Sequence, residues 1–343
     1  MQIIYQKYTT MAKKIDDMKL LARITFAADK MVRNLKKCLD KKDPNDFKTH
    51  PAIEIETGLM VATDGRILAV TKLKDYRCEL GDGVFVVNGS RLLPVEVLAM
   101  KGTVTVEMME DKRGNEVVRV IDQQGTAVEQ ELKSRYPNWR GVMPWDAGYP
   151  IDVDAKVWSS AVSSMIKAMS KDDAPAYSVR LYGERDSKTL RMSHYDWRGD
   201  ETEKQDVAVG RMPYKMFVTF AGKRLQTILA FEPTAMRFVE NTRAAMFYSA
   251  NTLILLQPLL VNDDDGMGCK VESRDCDRFD LERWLKGEAQ GESKAATKGA
   301  RPKAKATKAA RAAVVQQQTE RAQEPTFAER LREALLKHYR TAA

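Results

Sequence analysis

The sequence has little of what catalysis, metal binding or membrane insertion requires. Its 343 residues include three widely spaced histidines and four cysteines, which form no close CxxC pair and match no common zinc spacing. It has no glycine-rich phosphate loop, no HExxH or GxSxG motif, no secretory signal pattern and no apolar run of about eighteen residues. Asp263–Asp265 is interpreted as a solvated acidic turn. We therefore predict no enzyme, metal, cofactor or membrane span, and reduced thiols in the cytoplasm.

What the chain has instead is positive charge arranged along helices. Its formal net charge of +8 favours polyanionic partners. Apolar residues recur at helical spacing over 25–39, after Asp154 and after Pro213, and cations recur opposite each apolar stripe. An ordinary solvated helix face is the alternative interpretation. The cations on these faces are Lys30, Arg33, Lys37, Lys167, Lys171, Lys215 and Lys223.

Two parts of the chain share one order of elements. Strand-like runs flank Asp64-Gly65, a strong hairpin signal, and residues 19–150 follow the order helix, strands, short helix, strands. Residues 151–262 repeat that order, which predicts a duplicated domain. The predicted units are an N-terminal extension over 1–18, domains over 19–150 and 151–262, an acidic-then-basic linker over 263–324 and an amphipathic C-terminal helix over 325–343.

A short helix is predicted over Phe279–Leu285, and after it the composition of the chain changes. Residues 286–311 are rich in Lys, Ala and Gly, with too little apolar surface to offset the entropy of ordering, so we predict disorder. Helical spacing returns at Phe327, Leu331, Leu335 and Tyr339. Two interpretations stay open: the tail adds DNA affinity and docks a partner or another copy, or it is a solubilising linker with a weakly ordered end.

Three segments in order resemble those of one known family. They are Ala62-Thr63-Asp64-Gly65 with Leu68-Ala69-Val70, then Tyr136-Pro137-Asn138-Trp139 with Val142 and Pro144, then Leu256-Gln257-Pro258-Leu259. Together they resemble the bacterial sliding clamp, the beta subunit of the replicative DNA polymerase. The resemblance covers roughly 24–261. It implies an α+β fold of two clamp domains, each with antiparallel sheets and two helices, which correspond to the family's second and third domains.

The resemblance implies a processivity factor rather than an enzyme. A clamp ring has six domains, so a two-domain chain would close as a homotrimer around double-stranded DNA, with the basic helix faces toward the phosphates. The implied partners are DNA polymerase, other proteins with clamp-binding peptides, a clamp loader and further copies of the chain. The shortened architecture suggests a phage or mobile element, acting in the bacterial cytoplasm or nucleoid, including that of an infected host.

The resemblance also implies a peptide pocket between the two domains. Arg66, Ile67 and Gly141 depart from the family pattern, and the chain continues past the pocket, so the tail could occupy it. Simple packing of the domain junction is the alternative interpretation. The implied pocket residues are Thr63, Gly65, Leu68, Pro137, Val142, Leu256, Pro258 and Leu259.

A second functional hypothesis is a clamp-derived protein that forms no ring. It would bind DNA through residues 286–311, or a host replication factor through its terminal helix. A trimer that is retained on circular DNA but lost from linear DNA favours the clamp. A monomer that binds both DNAs equally favours the alternative.

Overall fold

Antiparallel sheets and a few helices make up the fold in a computed structural model. The described residues are 18–40, 47–81, 89–131, 136–168, 178–195, 201–259 and 270–288. The apolar run Phe85–Val87, which predicts a strand, and the C-terminal helix predicted over 325–343 lie outside those ranges. Within them, the helices are too short or too polar to traverse a lipid bilayer.

The described part of the chain contains 19 strands and four α-helices. The strands are β1 Lys19–Ala28, β2 Ala52–Glu54, β3 Leu59–Thr63, β4 Ile67–Lys72, β5 Lys74–Leu80, β6 Ser90–Leu92, β7 Gly102–Glu110, β8 Glu116–Ile121, β9 Ala127–Glu131, β10 Asp146–Gly148, β11 Ile151–Asp152, β12 Ser178–Gly183, β13 Thr189–Tyr195, β14 Glu201–Ala208, β15 Met216–Ala221, β16 Ala235–Arg237, β17 Ala245–Tyr248, β18 Thr252–Leu256 and β19 Cys276–Arg278. The α-helices are α1 Lys30–Asn34, α2 Ala155–Ala168, α3 Gly222–Leu229 and α4 Leu281–Leu285. Short 3-10 helices lie at Leu35–Cys38, Phe47–Thr49, Val95–Ala99, Trp139–Val142 and Ser273–Asp275.

The strands form four antiparallel sheets, and one of them joins the two halves of the chain. The orders are β5-β1-β7-β8-β9, β11-β16-β17-β18-β4-β3-β2-β6, β14-β13-β12-β15 and β10-β19. In the eight-stranded sheet, β4 pairs with β18 from Ile67 opposite Leu256 to Thr71 opposite Thr252. Because β4 belongs to the first half and β18 to the second, a continuous hydrogen-bonded sheet crosses between them.

Both faces of this eight-stranded sheet are buried. Side chains alternate along β4: Ile67 and Ala69 belong to the core shared with the helices, whereas Leu68 and Val70 belong to a second apolar cluster. We call the face with Leu68 and Val70 the outer face. Its cluster includes residues from 136–143 and from 279–284, so two segments outside the sheet cover it. Burial on both faces explains why these strands are nearly continuous apolar runs.

Helices α1 and α3 begin later in the chain than the sequence predicted. Residues Thr25–Ala28 complete β1, and Asp29 caps α1 by accepting hydrogen bonds from the N–H groups of Met31 and Val32. Residues Met216–Ala221 form β15, so the helix predicted from Pro213 begins only at Gly222. In both strands every second side chain belongs to the apolar core, and pairing with neighbouring strands satisfies the backbone. Tertiary pairing therefore overrides the helical spacing that the sequence also contains.

Candidate DNA and peptide interfaces

Three helices form one layer on the side of the sheets opposite the outer face. Asn34 of α1 donates a hydrogen bond from Nδ2 to the backbone oxygen of Ala230, at the end of α3, over 2.8 Å. Gln226 of α3 donates from Nε2 to Oγ of Ser163 in α2 over 3.0 Å. The helices therefore lie in the order α1, α3, α2, and the layer continues from the first half of the chain into the second.

The solvent side of this helix layer carries a group of exposed cations. In α2 the apolar residues Trp158, Ala161, Val162 and Met165 are buried, which turns the opposite face toward solvent. Helices α1 and α3 also bury part of their surface, and because the three helices adjoin, they bring exposed cations from distant parts of the sequence onto one layer. The exposed cations are Lys30, Arg33, Lys36 and Lys37 from α1 and the turn after it, Lys156 and Lys167 from α2, and Lys223 from α3.

Two of the predicted cations are not part of this described layer. Lys171 lies outside the described residues. Lys215 precedes β15, and its Nζ lies 3.4 Å from Oε1 of Glu184 and 5.8 Å from the ring centroid of Tyr182. Because residues between Lys215 and α3 form a strand, Lys215 does not share a helix face with Lys223.

Glu232 lies among the cations of the layer, just after α3. Lys30 Nζ is 2.5 Å from its Oε1, and both side chains are more than half exposed. The hydrogen bond from Lys30, together with the charges of Lys30 and Lys156, holds the pKa of Glu232 below its ordinary value. Glu232 is therefore ionised at neutral pH and offsets part of the positive field of the layer.

The turn between β3 and β4, where the predicted peptide pocket begins, is held by its own side chains. Oδ1 of Asp64 accepts hydrogen bonds from the N–H groups of Arg66 and Ile67, each over 2.7 Å. Oγ1 of Thr63 donates to the Ile67 oxygen over 2.6 Å and accepts from the Gly65 N–H over 3.0 Å. Gly65 has φ +83°, a conformation that other residues adopt only at a cost. The side chains of Thr63 and Asp64 therefore hold this turn, and Gly65 adopts the positive φ that the turn requires.

The structure groups some predicted pocket residues and separates others. Leu68 and Val142 belong to the same buried cluster on the outer face, with exposed fractions of 3% and 7%. Leu256 is fully buried in the core on the helix side. The cross-strand partner of Leu68 is Leu255, which belongs to the outer-face cluster and which the sequence prediction omitted.

The remaining predicted pocket residues differ in their exposure to solvent. Pro137 and Pro258 are buried, while Leu259 is partly exposed and its N–H donates to the Thr219 oxygen over 2.8 Å. Gly65 is also partly exposed. The chain's own side chains therefore fill the centre of the predicted pocket, and Gly65 and Leu259 are its accessible positions.

Sequence reasoning missed how the chain after β18 covers the outer face. It predicted a short helix over Phe279–Leu285, and α4 confirms that helix, but it did not predict β19 or its pairing with β10. Phe279 and Trp284 are each 2% exposed. Two aromatic residues in an otherwise charged segment were the available signal, since large aromatics contribute strongly when buried.

Comparisons with known proteins identify the fold. No protein-family model matches the sequence, and no curated protein matches it significantly. The DNA polymerase sliding clamp of Caulobacter crescentus superposes with a TM-score of 0.54 at 16% identity, covering 71% of this chain and 66% of that one. The Pseudomonas aeruginosa clamp gives 0.54 at 15%, covering 70% and 67%. The Bartonella birtlesii clamp, a DNA polymerase III subunit beta solved with griselimycin, gives 0.54 at 17%, covering 70% and 66%.

This similarity confirms the predicted α+β sliding-clamp fold. It spans about two thirds of those clamp chains, just under that share for the Caulobacter and Bartonella proteins. At such low identity the likeness establishes the arrangement of the backbone and not the activity. The function must therefore be argued from the surfaces of this chain.

Proposed function

We propose that this protein is a DNA sliding clamp, a processivity factor without enzymatic activity that encircles duplex DNA and tethers DNA polymerase. The helix layer carries the proposal. Seven exposed cations, five on the three α-helices and two on the 3-10 helix after α1, lie on one layer to which both halves of the chain contribute. Contacts of this kind bind phosphates without reading base sequence, and they permit sliding. A tethered polymerase would rebind its template at a high effective concentration.

The ring is proposed to be a homotrimer of two-domain chains, divided at residues 150 and 151. The sheet orders support a specific contact. In the described sheets, β6-β2-β3-β4 corresponds to β15-β12-β13-β14, and β11-β16-β17-β18 corresponds to β1-β7-β8-β9. Within the chain, the seam joins β4 to β18, so the corresponding contact between copies joins β14 of one copy to β9 of the next. Such a head-to-tail contact closes into a ring when the rotation fits.

The topology of the DNA tests the proposal. The full chain should have a native mass near three times its monomer mass, and after loading with a clamp loader it should stay on nicked circular DNA. Linearising that DNA with a restriction enzyme should release the protein within minutes at moderate salt, because a ring slides off an end. A monomer that is retained equally on circular and linear DNA would contradict the proposal.

Neutralising Glu232 should strengthen DNA binding. The Glu232→Gln variant removes the negative charge beside Lys30 and Lys156, so one further phosphate contact becomes available. The slope of log K against log salt should steepen by about 0.9, measured by anisotropy of a labelled duplex.

Glu184→Gln is the matched control for that variant. Glu184 is also exposed, and the hydrogen bond from Tyr182 and the charge of Lys215 lower its pKa. It lies outside the helix layer, so its variant should bind DNA as the wild type does. Equal effects of the two substitutions would argue for a general charge effect rather than for the helix layer.

Capture of partner peptides is the finer part of the proposal. The supporting observations are that Leu68 and Val142 share one apolar cluster and that Gly65, in the turn just before Leu68, stays partly exposed. An apolar peptide residue would enter beside Gly65 and pack on Leu68 as Val142 moves aside.

The non-ring alternative depends on the tail and needs a well-chosen truncation. Residues 270–288 belong to the fold, so the chain should be ended after Glu288. If truncation there abolishes DNA binding and the full chain is a monomer, the alternative is favoured. Under the clamp proposal the truncated chain keeps its native mass and its retention on circular DNA.

A further inference from the structure

Residues 270–288, which we call the clip, cross the outer face of the eight-stranded sheet. Strand β19 of the clip pairs with β10, from Asp146 opposite Arg278 to Gly148 opposite Cys276. The pairing continues where the Phe279 N–H donates to the Trp145 oxygen over 2.8 Å. The clip is therefore hydrogen-bonded to the segment that connects the two halves of the chain.

One residue of the clip touches both halves of the sheet. Trp284 donates from Nε1 to the oxygen of Ser249, in the turn between β17 and β18, over 2.8 Å. On the other side of the seam, Nζ of Lys72, the last residue of β4, lies 4.4 Å from the Trp284 ring centroid and donates to the Trp284 oxygen. Trp284 thus bridges the seam between β4 and β18 at one end.

The clip also contacts a buried charge on the sheet, and this contact makes the clip a stable part of the fold. Arg237 of β16 is 1% exposed. Its Nη1 donates to the Asp277 oxygen over 3.0 Å, and its guanidinium lies 5.7 Å from the Phe279 ring centroid. Removing the clip would leave this charge without those partners, which is strongly unfavourable in an apolar setting. The clip therefore stays in place rather than moving off the sheet as a lid would.

We propose that the clip locks the two halves of the sheet into one rigid arc. The fixed angle between the halves then sets the curvature of the ring that the copies form. This consequence rests on the proposed ring. The hydrogen bonds between β4 and β18 hold the halves edge to edge, but a single seam of five residue pairs can hinge. The helices contact one face of the sheet at the seam, and Trp284 of the clip bridges the seam on the outer face. With contacts on both faces, the seam cannot bend easily in either direction.

Hydrogen exchange on the full chain tests the lock. In Trp284→Ala, the amides of β4 and β18 should exchange about tenfold faster or more, because local opening of the seam becomes easier. Thermal unfolding should change from one transition to two as the halves uncouple, and native mass should show open or mixed oligomers in place of one closed species. Arg283→Ala, an exposed substitution in the same helix, is the control and should change none of these.

A second variant keeps the test decisive if Trp284→Ala does not fold. Lys72→Met keeps an apolar stem of similar length and removes the charge above the Trp284 ring together with the hydrogen bond to the Trp284 oxygen. Its effect on seam exchange should be smaller but in the same direction. Unchanged seam exchange in the folded variants would overturn the lock. If the wild type proves monomeric while these variants still speed seam exchange, the ring proposal fails and the lock stands.

Discussion

Replacing Lys36, Lys37, Lys167 and Lys223 together with alanine should abolish retention of the protein on nicked circular DNA at physiological salt. All four are exposed on the helix layer, and they come from α1 and the turn after it, α2 and α3. Removal of each cation that binds a phosphate should lower the slope of log K against log salt by about 0.9. Exposed substitutions of this kind change the free energy of unfolding by only about 0.5 kcal/mol each, so the fold should persist.

A control with the same change in net charge separates the helix layer from general electrostatics. The matched variant replaces four exposed lysines outside the layer, Lys112, Lys188, Lys215 and Lys270, with alanine. It should keep its salt slope near that of the wild type, apart from a weak long-range effect that added salt screens. If both quadruple variants bind DNA equally poorly, the phosphate contacts are not specific to the helix layer.

The strands were the most predictable part of the fold, because burial leaves a direct record in sequence. In β3, β4 and β18 nearly every residue is apolar, since both faces of the sheet are covered, and Asp64-Gly65 marks the turn between the first two. The charged strand β5 was missed for the opposite reason. Its side chains are exposed or partly exposed, so Lys74–Leu80 has no apolar alternation to detect.

The helix starts could not be predicted because two periods overlap at those positions. Before α1, Ile24 and Phe26 fit both a strand and the beginning of a helical stripe, and the structure places them in β1. The neighbours that decide between the two, β5 and β7, are distant in sequence. The same ambiguity before α3 explains why Lys215 was assigned to a helix face with Lys223.

The face of the sheet or helix on which a candidate site residue lies was predictable for the helix cations but not for the pocket residues. On α2 the helical period is unambiguous, so Lys167 was correctly expected opposite the apolar stripe. In the predicted pocket a shift of one residue along β18 exchanges Leu255 for Leu256, and successive residues of a strand lie on opposite faces. Motif resemblance carries no information about that alternation, which only the pairing of β18 with β4 fixes.

A proline at Ala127 or at Ala208 should dissociate the assembly without unfolding the copy. These residues lie in β9 and β14, the strands proposed to join neighbouring copies. Asp122 N–H donates to the Thr126 oxygen, and hydrogen-bonded pairs alternate along antiparallel strands, so the Ala127 N–H points away from β8. The Val209 N–H donates to the Lys188 oxygen. Because the pairs alternate, the N–H of the preceding residue, Ala208, points away from β13. Proline removes this outward donor, and it is tolerated at a sheet edge.

The weakening of each interface should be large enough to measure by native mass over a dilution series. Each ladder hydrogen bond contributes about 1 kcal/mol net, and the proline ring adds a steric cost, so the concentration at half-dissociation should rise about tenfold or more. Ala127→Val and Ala208→Val are the controls, because valine keeps the N–H and favours a strand. Both should assemble as the wild type does, and thermal unfolding should be nearly unchanged in all four variants.

Mixing the two proline variants then distinguishes a head-to-tail contact from a symmetric one. An Ala127→Pro copy keeps an intact β14, and an Ala208→Pro copy keeps an intact β9. The mixture is measured at a protein concentration at which the wild type assembles and each variant alone is monomeric. If β14 of one copy pairs with β9 of the next, the mixture should form a dimer that cannot grow or close. If β9 paired with β9 instead, Ala208→Pro alone would assemble normally and mixing would add nothing. A dimer that appears only in the mixture therefore supports the direction of the contact that a closed ring requires.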